Sequence, residues 1–269
     1  MSKRSKVALI TGASSGIGRE LALIHAAGGG DVVLVARSEA NLNRLGEEIT
    51  GKYGSQVTVI AKDLTQPGAG RDIHAEVVRA GVAVDYLINN AGFGGQWKFH
   101  ERAWQDDLAM IQLNIVALTE LTRLFLPEFV RRGSGRVLNV SSTASLMPGP
   151  LQAVYYASKA YVTSFSNAIA EELRGTGVTV TTLLPGATET EFARVSGMDK
   201  TALFANTASA AAVARAGYEG MLAGKLNVTA GVPFLQRLTL AMVPLLPKRM
   251  ILRQIRQMQE ARPAGAVTQ

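Results

Sequence analysis

A tyrosine and a lysine lie four residues apart in the segment AVYYASKAYV, at Tyr155 and Lys159. On a helix this spacing places both side chains on one face, one turn apart. A tyrosine can donate a proton to a developing alkoxide, but its ordinary pKa is about 10, so acid–base catalysis near neutral pH requires a lower pKa. The positive charge of Lys159 favours the tyrosinate. The pair predicts proton transfer at a carbonyl or alcohol, although such pairs also occur as plain surface packing.

A glycine-rich segment, TGASSGIG at residues 11–18, follows an apolar run near the start of the chain. Gly12 permits a tight turn, Gly16 lets the backbone approach a pyrophosphate, and Gly18 lets a helix pack closely on the strand. The start of that helix offers free N–H groups and a positive dipole end to a phosphate. We predict a dinucleotide site here; the alternative is a glycine turn without a ligand. The other residues assigned to this site are Ser14, Ser15 and Ile17.

The end of the second apolar run indicates which dinucleotide binds. An acidic residue there would accept a hydrogen bond from the ribose 2′-hydroxyl of NAD. The sequence instead has Arg37 followed by Ser38, and a guanidinium can make a forked contact with a 2′-phosphate. We therefore predict that Arg37 and Ser38 contact NADP(H), although a solvated arginine after a strand is common.

The segments around these residues alternate between strand and helix. Apolar runs predict strands over 7–10, 31–36, 57–61, 85–89, 136–140 and 178–184. Helical patterns cover 16–27, 39–53, 70–81, 101–110, 112–132, 152–174 and 207–223. Regular alternation predicts an α/β fold, a Rossmann-type doubly wound parallel sheet in a single domain. We assign residues 1–224 to this catalytic domain and residues 225–269 to a basic, amphipathic helical extension of it.

Taken together, the ordered motifs resemble the short-chain dehydrogenase/reductase family over about residues 5–195. The motifs are TGASSGIG at 11–18, Asp63-Leu64, Asn89-Asn90-Ala91-Gly92, Asn114, Val140-Ser141-Ser142, Tyr155-x-x-x-Lys159, and Pro185-Gly186 with Thr190. The resemblance implies hydride transfer between a nicotinamide cofactor and a carbonyl or secondary alcohol. It also implies a homodimer or homotetramer.

The resemblance further implies a role for each matching residue. The implied catalytic residues are Asn114, Ser142, Tyr155 and Lys159. The implied cofactor-binding residues are Asp63, Leu64, Asn90, Ala91, Gly92, Tyr155, Lys159, Pro185, Gly186, Thr188 and Thr190. Ser142, thirteen positions before Tyr155, would hydrogen-bond the substrate oxygen, and Asn114 would sit at a helix irregularity and hold a water. Tyr156 is turned about 100° around the helix, so we expect it to pack or to border the pocket.

Composition and charge argue against several other classes of function. The chain has 269 residues, no cysteine and a net charge of +7. Without cysteine there is no thiolate nucleophile and no disulfide, which suits a cytoplasmic location. The histidines His25, His74 and His100 are scattered, so we predict no metal site. Six of the seven net charges fall within residues 225–269, so the body is nearly neutral and no nucleic-acid partner is predicted.

The tail combines basic and apolar residues. One apolar stripe begins after Pro233 and is interrupted at Pro244 and Pro247. A second consists of Ile251, Leu252, Ile255 and Met258, opposite Lys248, Arg249, Arg253 and Arg256. Three interpretations stay open: an amphipathic helix packed on the body or another subunit, a peripheral membrane contact through 233–260, and recognition of an acidic carrier or coenzyme A ester.

The sequence thus predicts an NADP(H)-dependent oxidoreductase acting on a small carbonyl or alcohol substrate. Apolar residues near the expected pocket favour an apolar or lipid-like substrate; they are Phe93, Trp97, Leu146, Met147 and Phe192. A 3-oxoacyl thioester reductase and a non-catalytic NADP(H)-binding sensor are the alternatives.

Overall fold

The computed structural model of the chain describes residues 5–191, 207–243 and 246–260. Phe192, which the sequence assigns to the pocket, and Pro244, which it assigns to a helix break, lie outside these residues.

A seven-stranded parallel sheet forms the centre of the molecule, with the strand order β3-β2-β1-β4-β5-β6-β9. Its strands are β1 (Val7–Thr11), β2 (Asp31–Ala36), β3 (Val57–Ala61), β4 (Tyr86–Asn89), β5 (Gly135–Val140), β6 (Val178–Pro185) and β9 (Asn227–Ala230). Two short strands, β7 (Thr188–Glu189) and β8 (Ala208–Ser209), form a separate parallel pair. The order reverses beside β1, so the carboxyl ends of β1 and β4 border the crevice where ligands of such sheets bind.

Nine α-helices are described: α1 (Gly16–Ala27), α2 (Glu39–Tyr53), α3 (Ala69–Arg79), α4 (Trp104–Ile111), α5 (Leu118–Arg131), α6 (Ala153–Glu172), α7 (Ala210–Leu222), α8 (Phe234–Met242) and α9 (Lys248–Gln259). A π-helical turn, Gln112–Ala117, joins α4 to α5, and 3-10 turns occupy Phe99–Glu101 and Thr143–Leu146.

Helices cover both faces of the sheet, which makes it doubly wound. On one face Leu21 of α1, Leu42 of α2 and Val213 of α7 pack in one core cluster. On the other face Ile73 of α3 and Phe129 of α5 pack in a second cluster. Every residue of β1 is buried and four of its five residues are apolar, as expected for a parallel strand covered on both faces. The predicted α/β fold is confirmed.

Three differences from the sequence prediction concern the ends of the sheet and the tail. β9 pairs with β6, so the segment after residue 224, predicted to be purely helical, begins with a strand of the main sheet. Asp85, predicted to open β4, instead lies before the strand, where its carboxylate accepts from the backbone N–H of Val7 at 3.0 Å and pairs with Lys6. The two helices predicted over 101–132 are one stretch joined by the π turn.

The stretch Trp104–Arg131 is the one described helix long and apolar enough to cross a membrane by length and composition. Leu121, Phe125 and Phe129 of this stretch are buried against the sheet. Core packing therefore accounts for part of its apolar character, whereas Trp104, Leu108 and Val116 of the same stretch are exposed.

His25 is buried at the edge of the sheet opposite the crevice. One ring nitrogen lies 2.9 Å from the carbonyl oxygen of Lys6 and the other 2.8 Å from the Tyr218 hydroxyl. Since a carbonyl can only accept, Nε2 donates to Lys6; when the ring is neutral, Nδ1 accepts from the Tyr218 hydroxyl. Burial lowers the pKa of His25 below its ordinary 6.5, against the opposing effect of nearby backbone and carboxylate groups.

We expect this histidine to make the fold acid-sensitive. The unfolded chain binds a proton near pH 6.5 that the folded chain does not, so stability falls as the pH drops below that value, by up to about 1.4 kcal/mol per pH unit. Urea unfolding between about pH 5 and pH 8 measures this. The His25→Gln variant should show a shallower loss, whereas a change at exposed His100 should keep it; equal slopes for wild type and His25→Gln would contradict the assignment.

Candidate active site

The loop between β1 and α1 depends on glycines for its shape. Gly16 has φ +54°, in the left-handed region. A Cβ on Gly18 would lie 2.3 Å from the carbonyl oxygen of Gly12, so only glycine lets α1 pack this closely. The side chain of Ser15, at the N-cap, makes no capping hydrogen bond. The first N–H groups of α1 are therefore not occupied by a side-chain cap and can face a ligand.

Hydrogen bonds fix this loop against the end of β4. The Asn90 amide donates to the carbonyl oxygens of Thr11 and Gly12, at 3.0 Å and 3.2 Å. In return the Thr11 hydroxyl accepts from the backbone N–H groups of Asn90 and Ala91, both at 3.0 Å. Sequence analysis assigned Asn90 and Ala91 to cofactor binding but gave Thr11 no role, although it opens the same motif.

Arg37 lies exposed directly after β2. Ser38, also assigned to the cofactor, accepts at 3.4 Å from the N–H of Asn41 and caps α2. Asp63 is close enough for its charge to interact with Arg37. Burial raises the pKa of Asp63. The hydrogen bonds from Thr65 and the charge of Arg37 outweigh burial and hold this pKa below its ordinary value. Leu64 beside it is buried. Arg37 and Asp63 thus lie near each other, and their predicted contacts with the cofactor stay predictions.

Tyr155 and Lys159 both lie in α6 and are buried, with exposed fractions of 6% and 5%. Burial raises the pKa of Tyr155 above its ordinary value, the hydrogen bond with the Ser142 side chain opposes this, and Tyr156 adds to the rise. The spacing of Tyr155 and Lys159 predicts that the lysine charge lowers the pKa of the tyrosine, but this spacing carries no information about burial. The direction is therefore opposite to the expectation, because desolvation disfavours the phenolate.

The Lys159 ammonium lies 5.9 Å from the centre of the Tyr155 ring and donates to the carbonyl oxygen of Val140 at 2.9 Å. Burial lowers the pKa of Lys159 to about 8. A Cβ on Gly92 would lie 3.3 Å from this ammonium, so Gly92 forms part of its surroundings. The amine therefore lies where the ends of β4 and β5 meet α6.

Two consecutive serines after β5 have different partners. The Ser141 hydroxyl donates to the backbone carbonyl of Lys159 at 2.9 Å and lies 2.7 Å from the Thr163 hydroxyl. Ser142 contacts Tyr155 and accepts from the N–H of Ala144 at 3.1 Å. Ser141 therefore anchors α6 to β5, and Ser142 is the serine beside the tyrosine.

Asn114 is buried in the π-helical turn, so a helix irregularity is present where one was expected. Its side-chain oxygen accepts from the N–H of Phe93 at 3.1 Å, and its amide donates to the carbonyl of Phe93 and to the Ser158 hydroxyl, both at 3.0 Å. Ser158 in turn donates to the carbonyl of Tyr155 at 2.7 Å. Asn114 thus fixes the loop after β4 to the turn of α6 that contains Tyr155.

The loop after β6 closes the crevice on its other side. Pro185 ends β6, and a Cβ on Gly186 would lie 2.7 Å from the carbonyl of Gly231, at the end of β9. The Thr188 hydroxyl donates to the carbonyl of Gly186 at 2.9 Å. The side chain of Thr190 lies 3.0 Å from where a Cβ of Gly16 would be. The structure thus brings Thr190 against the glycine loop, as a shared cofactor site requires.

One contact near the site was missed by sequence reasoning. Gln259, the last residue of α9, is fully buried and donates to the Tyr156 hydroxyl at 2.8 Å. A separation of 103 residues leaves no local signal for such a pairing. Among the described residues, no three histidine, cysteine or acidic side chains are grouped to hold a metal.

A family model for short chain dehydrogenases matches residues 6–201 of the chain. The chain belongs to the short-chain dehydrogenase family. The predicted family is confirmed.

Three similar proteins place the chain within this family. The very-long-chain 3-oxoacyl-CoA reductase of Homo sapiens is 34% identical over 194 residues, which cover 70% of this chain and 61% of that protein; the chain thus spans under two thirds of that relative. A short-chain dehydrogenase of Sphingobium yanoikuyae in complex with NADPH is 30% identical, with a TM-score of 0.81, covering 95% of this chain and 98% of that one. The bulky-bulky ketone specific alcohol dehydrogenase of Comamonas testosteroni is 26% identical, with a TM-score of 0.78 and 98% of both chains covered.

We expect Tyr155→Phe to lower kcat by about a hundred- to ten-thousand-fold, because a positioned proton donor contributes that much. Steady-state ketone reduction with NADPH measures it. Tyr161→Phe is the matched control, since Tyr161 lies in the same helix, is 37% exposed and contacts Thr119. Near-normal turnover by Tyr155→Phe would exclude this tyrosine as the proton donor.

Proposed function

We propose that the protein transfers a hydride between NADP(H) and a carbonyl or secondary alcohol on an apolar, lipid-like substrate. The observation that carries this proposal is the buried Tyr155, in contact with Ser142 and one turn from the buried Lys159. These groups lie beside a glycine loop shaped for a phosphate, at the carboxyl edge of the sheet. Proton donor, oxygen-binding hydroxyl and cofactor loop thus share one crevice.

The residues present fit NADP(H). The uncapped start of α1 would hold the pyrophosphate, and exposed Arg37 with Ser38 would hold the 2′-phosphate. Lys159 would hydrogen-bond the nicotinamide ribose, and Thr190 would lie near the carboxamide. When bound, the nicotinamide supplies the hydride in reduction and accepts it in oxidation. The likeness to the Sphingobium yanoikuyae NADPH complex supports this choice of cofactor.

The side chains divide the rest of the reaction among them. In reduction Ser142 donates a hydrogen bond to the substrate oxygen, and this bond strengthens as negative charge develops there. Tyr155 then transfers its proton to that oxygen, and the resulting tyrosinate is stabilised by the nearby Lys159 ammonium. Asn114 holds the turn of α6 that carries Tyr155 through Ser158. In oxidation the same groups act in reverse, with the tyrosinate as the base.

The substrate side of the crevice is apolar. Phe93 and Met147 pack against the cluster that contains Tyr155 and Tyr156, and Trp97 and Leu146 are 50% and 38% exposed. Such a lining favours a bulky apolar ketone or alcohol. The similarity to the bulky-bulky ketone specific enzyme of Comamonas testosteroni supports the same class.

We expect Arg37→Ala to raise KM for NADPH by about ten- to a hundredfold, because a charge-assisted contact with the 2′-phosphate is lost. The KM for NADH should stay unchanged, since NADH lacks that phosphate. Arg44→Ala is the control, as Arg44 is exposed on α2 and bonds to Asn41. Equal effects on both cofactors, or a wild type that prefers NADH, would overturn the cofactor proposal.

A 3-oxoacyl thioester reductase is the second candidate. The similarity to a very-long-chain 3-oxoacyl-CoA reductase favours it. So does the basic exposed face of α9, with Arg249 and Arg253, since such charges suit the phosphates of coenzyme A. Both candidates use the same catalytic groups, so a panel containing acetophenone, a long methyl ketone and a 3-oxoacyl-CoA separates them by kcat/KM.

We further propose a homodimer or homotetramer in the cytoplasm, with peripheral contact to an anionic membrane. Exposed apolar residues on α4, the π turn and α6 support self-association; they are Trp104, Leu108, Val116 and Tyr161.

The membrane contact is assigned to α8 rather than to the whole of 233–260. Leu235, Leu238 and Met242 share one face of α8 and are 74%, 55% and 45% exposed, whereas Ile251 and Ile255 of α9 are buried.

We expect the protein to co-sediment with vesicles containing phosphatidylserine more than with phosphatidylcholine alone, because the tail is basic. Leu235→Glu with Leu238→Glu should lose this binding. Gln236→Glu with Thr239→Glu is the control, since both residues are exposed on α8 and the added charge is the same. No preference of the wild type for anionic vesicles would refute the contact, as would equal loss in both variants.

A further inference from the structure

The C-terminal helix α9 contacts the catalytic helix through one buried side chain. Gln259 has no exposed surface, and its Nε2 donates to the Tyr156 hydroxyl at 2.8 Å. Its backbone carbonyl accepts from the side chain of Gln96, in the loop after β4. A single residue of α9 therefore joins this helix both to α6 and to the loop that carries the substrate-side apolar residues.

Tyr156 is positioned tightly beside the proton donor. Its ring meets the Tyr155 ring edge to face, with centres 6.0 Å apart. On its other side a Cβ on Gly149 would lie 2.3 Å from the Tyr156 ring, so the ring rests against backbone. Phe93 and Met147 belong to the same cluster. Whatever holds the Tyr156 hydroxyl therefore acts at the border of the substrate pocket.

The rest of α9 docks through a narrow stripe. Ile251, Ile255 and Gln259, at four-residue spacing, are its buried residues, and the intervening Gln254 and Gln257 are exposed. Two isoleucines and the two hydrogen bonds of Gln259 are a small contact for a twelve-residue helix.

The side-chain amide of Gln259 is only partly hydrogen-bonded. The other end of the Gln259 amide, Oε1, is buried and has no hydrogen-bond partner in the described part of the chain. A buried amide end without a partner costs more free energy than a neutral hydrogen bond contributes on average. Docking of α9 is therefore sensitive to the loss of either partner, since each loss adds another unpaired buried group.

We propose that Gln259 is a positioning residue that determines substrate specificity: by binding Tyr156 it holds α9 as the outer wall of the substrate pocket. This inference rests on the proposed ketone reduction. It assigns α9 to substrate binding and leaves hydride and proton transfer to the groups described above. Bulky ketones should depend on Gln259 through KM, with little change in kcat or in KM for NADPH.

The test compares Tyr156→Phe, Gln259→Leu, their double variant and the control Gln257→Leu, whose glutamine lies exposed on the same helix. The probe is deoxybenzoin or, if the wild type prefers it, the best ketone of the panel. Each single variant should raise KM for the ketone about tenfold, since one buried partner is left unpaired. The double variant should recover most of this loss, because replacing both partners by apolar groups is nearly neutral.

Hydrogen exchange measured by mass spectrometry reports the docking of α9 without any substrate. Peptides covering 248–259 should exchange faster in each single variant and closer to the wild-type rate in the double variant and the control. Kinetics and exchange of Gln259→Leu that match Gln257→Leu would overturn the inference while the wild type still reduces ketones. A loss of kcat together with a raised KM for NADPH would also overturn it. A wild type that reduces no ketone would overturn the proposed function itself, and the inference with it.

Discussion

The protein keeps a lysine ammonium group almost entirely out of water, and the site is arranged around that constraint. Lys159 is 5% exposed, its amine donates to the Val140 carbonyl, and burial lowers its pKa to about 8. A buried cation is costly unless polar groups surround it. Gly92 and the Tyr155 ring both lie close to the Lys159 ammonium. The site therefore holds this charge beside a phenol.

Several neighbouring elements hold Lys159 and the residues around it in place. β5 supplies the Val140 carbonyl and, through Ser141, a bond to the backbone of Lys159 itself. The π turn supplies Asn114, which fixes both the loop after β4 and the turn of α6 before the lysine. On the substrate side α9 reaches Tyr156. In the proposed reaction, chemistry and cofactor binding depend on the carboxyl edge of the sheet, and we propose that substrate selection depends on α9.

Strand positions could be predicted because buried parallel strands carry continuous apolar runs, such as Val7–Ile10 in β1 and Val32–Ala36 in β2. β9 was missed because NVTA is short and mixed in character, as a strand at the edge of a sheet can be. The placement of Tyr155 and Lys159 one turn apart followed from their spacing on a helix, and the choice of Ser142 over Ser141 followed from the family resemblance; the catalytic role of Ser142 stays a prediction. The direction of the Tyr155 pKa could not be predicted, because it depends on burial. The contact between Tyr156 and Gln259 is set only by tertiary packing.

The central claim is that the buried Lys159 amine carries a charge that supports the site. The pH dependence of kcat/KM for NADPH, measured at saturating ketone, tests this claim most directly, because that ratio reports groups of the free enzyme. The lysine is charged below its pKa of about 8, so kcat/KM should be level at neutral pH and fall as the pH rises through that value. A ratio that stays constant well above this pH would contradict the claim that a buried, titrating lysine supports the site.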